Sequence, residues 1–130
     1  MIRRIQPKAV PESDAPFSQI VIDDHYAYFA GLVAADFPTG LAVLGDVSAE
    51  TKVVMGVISD MLNELGLNFE DVVKVDVHLA DLGDFDAMDT EYREYFLPNG
   101  YPARTTTESP KLFGGSKVEV TVQARLRSGS

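Results

Sequence analysis

The segment Pro102-Ala103-Arg104-Thr105-Thr106-Thr107-Glu108 sets a guanidinium early in an extended stretch, beside small residues. A guanidinium so placed can hold a carboxylate through two parallel N–H···O bonds, which fix orientation as well as charge. A further strand signal follows after a short loop, around Glu119, so two opposite charges are expected on adjacent strands. Two kinds of structure fit that expectation: a site for a small carboxylate, or a surface Arg–Glu pair across two strands worth at most about 1 kcal/mol. Spacing alone favours the surface pair.

Other chemistry-bearing side chains are weaker candidates. His25 and His78 are isolated, with no His-x-x-x-His spacing and no cysteine in the chain, so each is expected to be hydrogen-bonded or solvated rather than bound to a metal. The acidic run Asp81, Asp84, Asp86 and Asp89 lacks the twelve-residue loop with a terminal Glu that an EF-hand requires, and is expected to cap and solubilise a helix. Gly114-Gly115 has no Gly-x-x-x-x-Gly-Lys context and reads as a turn. No metal and no cofactor is expected.

Composition narrows the partners. The formal net charge of −9, with no local run of Lys and Arg to offset it, repels phosphate backbones and anionic lipid, so neither nucleic acid nor a membrane is an expected partner. A single arginine in a pocket still acts at short range, because the net field is screened within about 10 Å. With 130 residues, 45% of them hydrophobic, the chain is expected to fold as one domain over residues 1–130 around one ordinary core. The N-terminus, Met1 to Pro7, is basic without an apolar segment, and a cytoplasmic protein is expected.

The elements that must position these residues are legible from periodicity. After Asp46 or Ser48 as cap, Val53, Val54, Val57, Ile58, Met61, Leu62 and Leu65 recur at helical spacing as far as Gly66. A shorter helix is expected after Asp84, with Phe85, Met88, Tyr92, Tyr95 and Phe96 on one side, until Pro98-Asn99-Gly100 breaks it. Val73, Val75, Val77 and Leu79 alternate with Lys74, Asp76, His78 and Ala80, which predicts a strand with those valines facing the core. Val118, Val120, Val122, Ala124 and Leu126 repeat the pattern, and further strands fit 25–31 and 102–108. The order β, β, α, β, α, β, β predicts an α+β fold in which two helices cover one face of a mixed sheet. The other face is left for solvent or for other subunits. Ser128-Gly129-Ser130 reads as a frayed tail.

Several segments occur in the order and spacing of the RidA/YjgF family: Ala15-Pro16-Phe17-Ser18-Gln19, Gly66-Leu67 with Asp71-Val72-Val73-Lys74, Asp84-Phe85, Tyr92 with Phe96, Pro102-Ala103-Arg104, and Val118-Glu119-Val120. The resemblance spans nearly the whole chain, and Pro-Ala-Arg followed by Val-Glu-Val is its most specific part. It implies a chorismate-mutase-like fold and a homotrimer whose sheets form a central barrel lined by the polar sheet face. It also implies ligand clefts at the subunit interfaces, and a cofactor-free enamine/imine deaminase that turns 2-aminoacrylate or 2-iminopropanoate into a 2-oxo acid and ammonia.

By the same resemblance Arg104 is the carboxylate anchor, Glu119 the group that holds the attacking water, and Thr106 a position whose backbone contacts the ligand. Phe17 stands where members of the family usually carry Tyr, and Ala30-Gly31-Leu32 replaces a common Ser-Gly-Gln. Asp89 takes the place of a frequent Asn, Thr106 that of a frequent Cys, and Thr107 and Ser109 that of apolar residues. The pocket so implied comprises Arg104, Glu119, Phe17, Thr106, Asp89, Ala30 and Gly31. These departures keep a second expectation open: a trimeric protein that binds small carboxylates or regulates without turnover.

Overall fold

The computed structural model describes residues 1–127; the tail at 128–130 lies outside the described residues. Seven strands form one mixed sheet: β1 (Arg3–Ile5), β2 (Ile20–Ile22), β3 (Tyr26–Phe29), β4 (Leu32–Val33), β5 (Val72–Leu79), β6 (Ala103–Glu108) and β7 (Val118–Arg125). Three helices, α1 (Pro38–Leu41), α2 (Val47–Glu64) and α3 (Phe85–Tyr92), complete the regular structure apart from short 3-10 turns. Among the described residues no helix is long and apolar enough to cross a membrane.

β7 lies in the middle because it has the longest strict alternation, and Val118, Val120, Val122 and Ala124 are all buried. It pairs antiparallel with β5 on one side, and on the other with β3 and then β4 in succession along its length. The order is β1-β2-β3-β7-β5-β6, with β4 off that path. β6 runs parallel to β5. A parallel pair needs a crossover connection, and α3 supplies it. One surface of this helix therefore packs near β6.

α2 begins where expected, with the Asp46 carboxylate accepting from the Ala49 N–H at 3.1 Å. Its stripe of Val54, Met55, Ile58, Met61 and Leu62 is fully buried. Burying each such side chain stabilises the fold by roughly 1.5–3 kcal/mol as an upper bound. The helix stops before Gly66, whose φ of 73° lies in the left-handed region that glycine tolerates. α3 is shorter, with Met88 and Tyr92 buried, and a 3-10 turn over Arg93–Tyr95 carries the chain on to Phe96.

Three expectations are corrected. Two strands were expected before the long helix, and there are four, because β1, β2 and β4 have only two or three residues each and leave no readable period. Val73 does not face the core: it is 39% exposed, and Val72 is buried in its stead. The ladder with β7 shifts register between Val72 and Lys74, so Val73 is the extra residue of a bulge. Finally, β6 and β7 are not neighbours, because β5 runs between them.

α2 and α3 pack over the face bearing Val75, Val77 and Val120. The opposite face carries Tyr28, Lys74, Asp76, His78, Thr105, Thr107, Glu119, Thr121 and Gln123, all half-buried or exposed. Its side chains pair with one another: Lys74 Nζ donates to Asp76 at 2.7 Å and Thr105 at 3.0 Å, and His78 Nδ1 lies 2.6 Å from Thr107 Oγ1.

Candidate functional site

Arg104 stands opposite Val75 in the β5–β6 ladder, so its side chain rises on the helix-covered face. There it meets α3. Its guanidinium carbon lies 4.7 Å from the Tyr92 ring centroid and 5.3 Å from that of Phe85, and Nη1 donates to Asp89 Oδ1 at 2.7 Å. Two rings and a carboxylate thus fix a planar cation that would otherwise be free to rotate. The guanidinium remains 21% exposed and opens on a hollow of about 370 Å³ lined by Asp89, Tyr92, Arg93, Tyr101, Pro102 and Arg104.

Asp89 is shared. Its Oδ2 accepts from Arg93 Nη2 at 2.7 Å, one helical turn further on. Burial alone would raise the Asp89 pKa, but the hydrogen bonds and charges of Arg104 and Arg93 outweigh it and hold the carboxyl below its ordinary 3.8. Burial pushes the Tyr92 phenol up to about 12, so it stays protonated at neutral pH. Its hydroxyl is buried with no hydrogen-bond partner among the described residues.

Glu119 stands opposite His78, on the other face of the sheet from Arg104. It belongs to a second hollow of about 430 Å³, whose lining includes Glu12, Phe17, Gln19, Gly31, Asp36, Phe113 and Glu119. Gly31 leaves room there: a Cβ on it would sit 3.0 Å from the Glu119 carboxyl carbon and 2.9 Å from Thr121 Oγ1, so either side chain would have to shift. Ala30 holds the adjoining loop through its N–H, which donates to the Gln19 carbonyl at 2.9 Å. Phe17 is 53% exposed, so its ring is a wall open to solvent rather than part of the core. The lining is acidic, with no Lys or Arg to balance Glu12, Asp36 and Glu119. Burial raises the Asp36 pKa, opposed by the Val33 N–H that its carboxylate accepts.

The residues singled out in the sequence thus fall into two groups on opposite faces of the sheet. Arg104 and Asp89 form a donor-rich hollow; Phe17, Gly31 and Glu119 line an acceptor-rich one. Thr106 stands opposite Val77, on the same side of β6 as Arg104. The expected Arg104–Glu119 cross-strand pair does not exist, since β5 intervenes and the two side chains point to different faces. Arg93 and Tyr101 at the first hollow, and Gln19, Asp36 and Phe113 at the second, were not singled out. Only Arg93 had a local signal, its i, i+4 spacing from Asp89. His78 is occupied by Thr107, and among the described residues no cluster of His, Asp or Glu is arranged to hold a metal ion.

Comparison with known proteins adds the following. The sequence model of the family described as Endoribonuclease L-PSP matches residues 7–126. The chain is 34% identical over 134 residues to the human 2-iminobutanoate/2-iminopropanoate deaminase, covering all of this chain and 97% of that protein. It is 39% identical over 102 residues to a RutC family protein of Pyrococcus abyssi, covering 78% and 80% respectively. Among solved structures, a Rid-family protein from Yersinia pestis superposes with a TM-score of 0.88 at 26% identity, covering 96% of this chain and 99% of that one. The YjgF gene product from E. coli gives 0.84 at 26% identity, with 96% and 99% covered.

Proposed function

Because the chain belongs to the endoribonuclease L-PSP family, the family of the Rid and YjgF proteins, we propose that it is an imine deaminase, a hydrolase of C–N bonds in small 2-imino carboxylates. The observation that carries this reading is the Arg104 guanidinium, stacked on Tyr92 and Phe85 and held by Asp89, yet open to a hollow. It anchors the substrate carboxylate. Glu119 holds a water against the imine carbon. The water oxygen bonds to that carbon while one water proton passes to nitrogen; the remaining hydroxyl proton then moves to nitrogen as the C–N bond breaks and the C=O bond forms, and a 2-oxo acid and ammonia leave. The imine is already electrophilic, so orientation supplies most of the acceleration. No metal or cofactor takes part in this scheme.

Within one protomer the anchor and the water-holding carboxylate lie on opposite faces of a sheet, so the reading requires a neighbour. The assembly we propose is a homotrimer of the single 1–130 domain, its polar sheet faces lining a central barrel. Each cleft then combines Arg104, Asp89 and Thr106 of one protomer with Phe17, Ala30, Gly31 and Glu119 of the next. Three features support it: the hydrogen-bonded polar face, the edge strand β6 paired only to β5, and hollows of opposite polarity.

The test is ammonia release from 2-iminopropanoate and 2-iminobutanoate generated in situ. Wild-type protein is expected to exceed the spontaneous rate, and Arg104→Ala to return to it. A wild-type rate equal to the spontaneous one across several imino acids would end the catalytic reading. Binding of 2-oxo acids without turnover would leave a carboxylate-binding protein, the alternative that Phe17, Ala30, Asp89 and Thr107 motivate.

A further inference from the structure

We propose that Asp89 is the specificity-determining residue of the Arg104 hollow: by engaging Arg93 and cancelling one of two guanidinium charges, it restricts the site to monocarboxylates and rejects dicarboxylates. This rests on the reading of Arg104 as carboxylate anchor and goes beyond it.

The argument is one of charge and valence. Two arginines line a single hollow, and one carboxylate lies between them, giving one oxygen to each at 2.7 Å. The remaining lining residues, Tyr92, Tyr101 and Pro102, carry no formal charge, so this protomer's side of the cleft has one net positive charge to set against one ligand carboxylate, and the Glu119 proposed from the next protomer adds no positive charge. A guanidinium has five N–H donors, so the bond from Nη1 to Asp89 leaves Arg104 able to grip a ligand. Arg93 differs. It is 58% exposed at the rim, and among the described residues the one side chain it bonds is Asp89. Arg93 keeps N–H donors as Arg104 does, but a second ligand carboxylate entering here would meet the Asp89 charge and find no second net positive charge to neutralise it.

A neutral side chain at this position reverses both conditions. Asn keeps one acceptor oxygen for Arg104, at nearly the same volume, and no longer holds Arg93 by charge. Arg93 then becomes an anchor for the distal carboxylate, and the repulsion is gone.

The experiment measures affinity of the purified, assembled protein by calorimetry, with 2-oxobutanoate as the monocarboxylate and 2-oxoglutarate as the dicarboxylate. Wild type is expected to prefer 2-oxobutanoate. Asp89→Asn is expected to raise the ratio of 2-oxoglutarate to 2-oxobutanoate affinity by about tenfold or more, as removal of one close like charge predicts. Adding Arg93→Ala to that variant should abolish the gain. The ratio cancels any weakening common to both ligands through a less firmly held Arg104. Asp89→Ser, smaller and also neutral, repeats the test if Asp89→Asn does not fold. An unchanged ratio, or a wild-type preference for 2-oxoglutarate, overturns the proposal while leaving Arg104 as anchor. Failure of wild type to bind either acid overturns both.

Discussion

Arg104 is a cation prepared in advance. Tyr92 and Phe85 flank its guanidinium and Asp89 takes one of its N–H groups, so little side-chain freedom is left to lose on binding the carboxylate proposed for it. Lysine cannot reproduce this, because an ammonium does not stack as a plane and offers no fork. Arg104→Lys is therefore expected to lower kcat/KM for imine hydrolysis by about 10- to 100-fold despite keeping the charge, measured as ammonia release. A variant as active as wild type would show that charge alone suffices. Asp89 carries a second expectation. Its folded pKa lies below the ordinary 3.8, so the pairing stabilises the fold above the unfolded value and is lost as pH falls through the folded one. The stability difference between wild type and Asp89→Asn should be full above about pH 5 and shrink on acidification below 3.8. Urea midpoints at successive pH values measure it; a difference that grows on acidification would contradict the ion pair.

Elements hold this arrangement together through contacts remote from the hollows. Glu50 is fully buried in the first turns of α2, and its carboxylate accepts from the Gly45 N–H and the Lys117 N–H, each at 2.7 Å. It ties the loop before α2 to the entry of β7, the strand that carries Glu119. Glu50→Ala leaves both N–H groups without that acceptor and is expected to cost about 2–4 kcal/mol by urea denaturation, with Glu50→Gln falling between it and wild type. Such ties explain what the sequence could and could not tell. The α2 stripe and the alternation of β7 are one-dimensional patterns, and both stand in the structure where periodicity put them. The bulge at Val73 is invisible to the same rule, since one extra residue changes which valine faces inward without changing composition. Gly40 is another case: a Cβ there would lie 1.9 Å from the Ala34 carbonyl oxygen, a crowding that only folding creates. Candidate residues could be named from the sequence, but their arrangement could not. Arg104 and Glu119 could be named, while their separation by β5 and the Asp89 pairing depend on strand order and on where the crossover helix lands.

For the whole molecule, the proposed trimer must join two hollows that lie on opposite faces of the sheet. Each protomer presents a donor-rich hollow around Arg104 and an acceptor-rich hollow around Glu119, and a closed ring of three would set the first of one copy against the second of the next. Sedimentation equilibrium should then give three times the 14.2 kDa chain mass. A sharper test uses two inactive proteins. Arg104→Ala protomers retain an intact Glu119 half, and Glu119→Gln protomers an intact Arg104 half. When equal amounts are dissociated and reassembled together, an interface is complete only if an Arg104-bearing protomer meets a Glu119-bearing one in the correct order. Random assembly makes about one interface in four complete, so activity should recover to about a quarter of wild type. Sites confined within single protomers would recover nothing, because every chain in the mixture lacks one of the two residues.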